Sequence, residues 1–112
     1  MTKALWERYS ASWSMPEANR RERLHETVSP DITYTDPYIA LSGIDAFSDY
    51  MTGFQANAPN TGFEIREVID HHGRTLAHWD MVSEGALIGT GTSFAEVGED
   101  GRLAHITGFF GS

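Results

Sequence analysis

The chain has 112 residues, 40% of them apolar and 12% aromatic, enough for one hydrophobic core and too few for a second module. Sixteen acidic against eight basic residues give a formal charge of -8, a balance that disfavours nucleic-acid phosphates and anionic membrane surfaces as partners. The absence of cysteine excludes disulfides, thiol nucleophiles and cysteine-held metals. No apolar run approaches the roughly 20 residues that a membrane helix needs, and MTKALWERY lacks the core of a signal peptide. A cytoplasmic protein with one domain over residues 1–112 is the expectation.

At the N-terminus Leu5, Trp6, Tyr9 and Trp13 recur at helical spacing, which predicts a helix over residues 3–13 with an aromatic face. Ser14 and Glu17 stand three apart like a capping box, and Pro16 suits a first turn. A second helix is expected to open there and to end before Pro30. Its residues Arg20, Arg21 and Arg23 alternate with Glu17, Glu22 and Glu26, the pattern of a solvated face laced with ion pairs. Residues 32–36 read as a strand that puts Ile32, Tyr34 and Asp36 on one side and Thr33 and Thr35 on the other, so its apolar face ends in a carboxylate. After a loop over 37–41, Ser42 with Asp45 opens a third helix that turns Phe47, Tyr50, Met51 and Phe54 inward, until the AsnAlaProAsn run at 57–60 stops it.

Four strands are predicted beyond, over residues 63–69, 75–83, 87–97 and 103–110, separated by HisHisGlyArg, GluGly and GluAspGlyArg turns that suit antiparallel hairpins. Helices followed by a run of strands indicate an α+β fold with the helices packed on one face of an antiparallel sheet. Gly85, Gly89 and Gly91 do not open a helix as a phosphate loop would, and are read as points of sheet bending. His71 and His72 fall at a hairpin tip, where adjacent side chains diverge, so no metal site is expected. The chain closes at Ser112 soon after the last strand, and no tail is expected to cover a cavity.

This element order, with TYTDP, SGIDAF and EDGRL at their places in it, resembles the nuclear-transport-factor-2-like superfamily over nearly the whole chain. Within the superfamily it is most similar to the SnoaL-like polyketide cyclases and the ketosteroid isomerases. The resemblance implies a cone-shaped barrel, in which a strongly curved antiparallel sheet packs against three N-terminal helices around a pocket. In the isomerases the acid of the matching AspPro is the general base, which here is Asp36. Their substrate-binding tyrosine on the first helix matches Tyr9, and Ser93 stands where they carry a second acid that stays protonated. The same matching puts Leu76, His78, Asp80 and Val82 on the pocket side of their strand and Ala77, Trp79 and Met81 on the other, although periodicity alone leaves both faces open.

A carboxylate beside apolar groups suits removal of a proton α to a carbonyl, which makes Asp36 the candidate base; aspartate before Pro37 equally suits a turn cap. Tyr9 or Tyr34 is the candidate donor to a developing oxyanion, with a core role as the alternative for each. His78 and Asp80 share a strand face and form a candidate proton relay or, equally, a polar pair at a subunit interface. Phe47, Met51, Phe54, Leu76, Ser93, Ile106 and Phe110, with Tyr34, are the candidate lining for a small hydrophobic molecule. Neither cofactor nor metal is expected. The function expected is cofactor-free acid–base chemistry of isomerase or cyclase type on a hydrophobic carbonyl compound, with a noncatalytic ligand-binding or dimerisation module as the alternative. An outer sheet face bearing Trp79, Met81, His105, Thr107 and Phe109 predicts a homodimer through the sheet.

Overall fold

The computed structural model describes residues 2–111; Ser112, on which the expectation of an uncovered cavity rests, lies outside them. Helix α1 spans Thr2–Ala11 and runs into a 3-10 turn at Ser12–Ser14. Helix α2 is Glu17–Thr27, strand β1 is Thr33–Asp36, strand β2 is Ile39–Ser42 and helix α3 is Ile44–Asn57. Strands β3 (Thr61–His71), β4 (Arg74–Ser83), β5 (Ala86–Val97) and β6 (Leu103–Phe110) complete the chain. Among the described residues no helix is long and apolar enough to cross a membrane.

The six strands form one sheet in the order β2-β1-β6-β5-β4-β3. Neighbours are antiparallel except β1 and β6, which pair in parallel through Tyr34 with Ile106 and Thr35 with Thr107. The sheet is therefore mixed, curved and open, with the three helices on its inner face. Register shifts in each long hairpin, between Ile65 and Glu67, Met81 and Val82, and Phe94 and Glu96, place an unpaired residue on one strand and bend it around the helices. The bulge in β5 next to Gly89 agrees with the bending role read for that glycine.

Three local readings are corrected. Strand β2 occupies most of the segment read as a loop; its residues are largely exposed, so no alternation marks it in sequence. Helix α2 has Pro16 at its N-cap without a side-chain cap, while Ser14 Oγ donates instead to Thr61 O at 3.3 Å. Arg20 is not a surface residue: it is 2% exposed, and its guanidinium donates to Ser48 O and Oγ at 2.6 and 2.9 Å and to Thr52 Oγ1 at 2.7 Å. A buried guanidinium is held by fitting its fork of donors to fixed acceptors, and here those acceptors belong to α3. Arg21 remains outside and pairs with Glu17 and Asp45.

The core lies between helices and sheet and contains Trp6, Tyr9, Trp13, Leu24, Val28, Ile32, Tyr34, Phe47, Met51, Leu103 and Ile106. Burying an aromatic side chain of this kind contributes on the order of 2–3 kcal/mol, so the aromatic face of α1 anchors it to the sheet. Trp6 Nε1 donates to Thr75 Oγ1 at 2.8 Å, which fixes α1 on β4 and satisfies two buried polar groups together.

Candidate functional site

Strand β1 carries Tyr34 and Asp36 on its inner side, and α3 brings Tyr50 over them one turn beyond Phe47. Tyr34 Oη donates to Asp36 Oδ2 at 2.8 Å, and Tyr50 Oη donates to the same oxygen at 3.0 Å. Asp36 Oδ1 accepts from the Tyr38 backbone N–H at 2.9 Å, so the carboxylate also caps the turn between β1 and β2. The two sequence readings of Asp36, turn cap and cavity group, describe its two oxygens.

Above these groups lies a cavity of about 60 Å³, several times the minimum for a single water. Trp6, Tyr9, Trp13 and Phe54 line it from the helical segments, and Phe63, Trp79, Met81, Ser93, Gly108 and Phe110 line it from the sheet. Asp36 is the one charged side chain on the wall among the described residues. The rings pack edge to face: Trp13 meets Phe54 at 5.3 Å and 83°, and Phe63 meets Trp79 at 5.1 Å and 85°. That geometry sets positive ring edges against negative ring faces and holds the wall rigid.

The polar groups converge around Gly108. A Cβ there would lie 3.5 Å from Ser93 Oγ, 3.7 Å from Tyr34 Oη and 3.8 Å from Asp36 Cβ, so the missing side chain leaves a notch bordered by all three. Ser93 Oγ accepts from Trp79 Nε1 at 3.0 Å, and Tyr9 Oη accepts from Trp13 Nε1 at 3.1 Å. Among the described residues neither hydroxyl has an acceptor for its own proton, which leaves each proton for a cavity occupant. Burial pushes the Tyr9 and Tyr34 hydroxyls far above the ordinary phenol value, and burial with the Asp36 contact pushes Tyr50 up to about 12. All three tyrosines are thus protonated donors at neutral pH.

The face assignment of β4 is reversed relative to the expectation. Thr75, Ala77, Trp79 and Met81 face the helices and the cavity, whereas Leu76, His78 and Asp80 point away. His78 Nδ1 meets Thr92 Oγ1 at 3.0 Å, and Asp80 accepts from Arg66 Nε at 2.6 Å, both on the outer side. They therefore do not face Asp36 across the cavity. Trp6 of α1 fixes this face inward through Thr75, and the register accommodates the indole: Trp79 pairs with Gly91, where a Cβ would lie 2.2 Å from the Trp79 ring. Gly91 makes room for the indole, a more specific role than bending.

Of the other candidates, Tyr9, Tyr34, Phe54, Ser93 and Phe110 reach the cavity, while Phe47, Met51 and Ile106 are fully buried in the core rather than on the cavity wall. Trp13, Tyr50, Phe63, Trp79 and Gly108 belong to the site and were not assigned to it from sequence. Gly91 opposite an aromatic residue was the available signal for Trp79. His71 and His72 sit exposed at the β3–β4 turn.

A curved mixed sheet wrapped on three helices around an aromatic cavity defines the nuclear-transport-factor-2-like class of α+β proteins. Residues 6–106 match the model of the SnoaL-like domain, and the chain belongs to that family. A proposed isomerase of the SnoaL-like family from Agrobacterium tumefaciens str. C58 superposes with a TM-score of 0.91 over 100% of both chains at 20% identity. A proposed polyketide cyclase from Sinorhizobium meliloti gives 0.75 at 20% identity, covering 94% of this chain and 93% of that one. A proposed ketosteroid isomerase from Kribbella flavida gives 0.74 at 15% identity, covering 99% and 78%. No curated protein sequence matches the chain. At these identities the likeness establishes the fold, and chemistry must be argued from the cavity.

Proposed function

We propose that this protein is a small acid–base enzyme of isomerase or cyclase type, acting on a hydrophobic carbonyl compound without a cofactor, in the cytoplasm. The observation that carries the reading is Asp36, a carboxylate held by two tyrosine hydroxyls in the wall of an aromatic cavity. A substrate entering past Phe110 exchanges contact with water for contact with rings, and its carbonyl oxygen takes the free proton of Tyr9 or Ser93 as a hydrogen bond. Asp36 then removes an α proton: the C–H bond breaks, an O–H bond forms on Asp36, and the electron pair passes to the enolate oxygen. Return of that proton to a different carbon completes an isomerisation. Attack of the enolate carbon on a second carbonyl of the same molecule, with a proton delivered to the new alkoxide, completes a ring closure. The outer pair His78 and Asp80 has no part in these steps.

The test is proton exchange into a planar hydrophobic ketone, β-tetralone, followed by proton NMR in heavy water. The native protein is expected to accelerate α-deuteration, and Asp36→Asn to reduce the acceleration by about two orders of magnitude. Equal rates for the two proteins would contradict the reading. The Tyr38 N–H contact of Asp36 favours a second reading, a ligand-binding module in which Asp36 is structural. That reading expects binding of the ketone without exchange.

Assembly as a homodimer through the sheet belongs to the same proposal. With Trp79 and Met81 turned inward, the apolar outer face consists of Leu76 together with Ile69, Phe94 and Phe109, which are 57, 36 and 58% exposed. Grouped apolar side chains of this size on a sheet are covered in most proteins of this length.

A further inference from the structure

We propose that the cavity prefers small hydrophobic organic cations, protonated amines or quaternary ammonium compounds, with Asp36 as their counterion. The inference rests on the functional reading of this cavity and adds the charge of the ligand it takes.

Nine of the fourteen residues on the cavity wall are Trp, Tyr or Phe, and none is Lys, Arg or His. No basic side chain pairs with Asp36 anywhere among the described residues. Its partners are two phenol hydroxyls and one backbone N–H, all donors, and an ionised carboxylate is the acceptor-only form that such a set matches. The cavity thus holds one negative charge with no cation beside it. The chain as a whole carries a formal charge of -8, which adds to the potential at the site.

Aromatic walls and one carboxylate are together the chemistry that replaces water around an ammonium group. The ring quadrupole attracts a cation, and the carboxylate neutralises it. A ligand carboxylate or phosphate meets the opposite conditions, a like charge and no basic donor. A neutral ligand gains only apolar burial. The Gly108 notch leaves space for a ligand group directly beside Asp36 and Tyr34, and Phe110 at the rim is partly exposed.

The test compares phenyltrimethylammonium with its neutral isostere tert-butylbenzene and with benzoate, by quenching of tryptophan fluorescence in the full chain. The cation is expected to bind about tenfold more tightly than the isostere, and benzoate more weakly than either. Raising the salt from about 20 mM to about 0.5 M is expected to weaken only the cation, a readout that needs no variant. Asp36→Asn is expected to remove the preference while the isostere still binds. Equal binding of cation and isostere by the native protein overturns the inference and leaves the deuteration result for β-tetralone to stand by itself. Binding of none of the three overturns it as well. Loss of deuteration with the cation preference intact overturns the carbonyl chemistry alone.

Discussion

Gly91→Ala tests which face of β4 bears the site, because the glycine exists in this geometry to admit Trp79. The added Cβ would lie 2.2 and 2.3 Å from two carbons of the indole ring and 2.6 Å from Phe109 O, all far inside van der Waals contact. The indole cannot turn aside freely, since its Nε1 is bonded to Ser93 Oγ at 3.0 Å and its ring meets Phe63 at 5.1 Å. Overpacking that the surroundings absorb costs about 1–3 kcal/mol, and expelling a buried tryptophan costs about 3–5 kcal/mol. A loss of about 2–4 kcal/mol is expected, which lowers Tm by about 8 °C or more for a domain of this size. Urea unfolding followed by circular dichroism measures it. In a Trp79→Ala background two of the three close approaches vanish, so the same substitution should cost clearly less, leaving only the approach to Phe109 O. A Gly91→Ala protein within about 0.5 kcal/mol of the native one would refute the inward placement of Trp79 and return His78 and Asp80 to the cavity.

Gly108→Ala is expected to behave oppositely: its Cβ meets neighbours only at 3.5–3.8 Å, so stability should hold or rise by about 0.4–1 kcal/mol while binding of β-tetralone weakens in a fluorescence titration. Alkaline pH is expected to destabilise the fold, because Tyr50 is raised to about 12 from its ordinary value of 10.0. Its contribution is complete below about pH 10 and is lost as pH rises toward 12, where the unfolded chain binds fewer protons than the native one. Urea unfolding across that range should show a shallower decline in Tyr50→Phe. Phe109→Glu places a charge on the outer face and is expected to turn a dimer into a monomer in analytical ultracentrifugation; a native protein already monomeric at micromolar concentration would remove the dimer from the proposal.

The element order apart from β2, the aromatic face of α1 and the carboxylate at the end of β1 were legible because each rests on local periodicity. Ile32, Tyr34 and Asp36 alternate with Thr33 and Thr35, and Trp6, Tyr9 and Trp13 keep helical spacing. The face of β4 was not legible. Thr75 and Ala77 look no more buried than Leu76 and Val82, and the packing of α1 on Thr75, a contact 69 residues away in sequence, decides between them. Tyr50 was read as inward but not as a partner of Asp36, since that contact depends on how α3 crosses β1. Arg20 failed for a related reason: a charge alternation typical of solvent was placed against the Ser48 and Thr52 edge of α3 by tertiary packing. Strand β2 pairs with β1 at the sheet edge and turns only Leu41 toward the core, too short a pattern to announce a strand.

The central claim is that ligand chemistry takes place inside, around Asp36 and the tryptophans, and not on the outer face. Nitrogen–proton NMR of the native protein during addition of β-tetralone tests it directly, because the indole N–H groups of Trp13 and Trp79 donate to Tyr9 and Ser93 at the cavity wall. These indole signals and the Gly108 amide are expected to shift in a saturable manner while the ring signals of His78 stay in place. Saturable shifts of His78 and Thr92 with unmoved indole signals would contradict it.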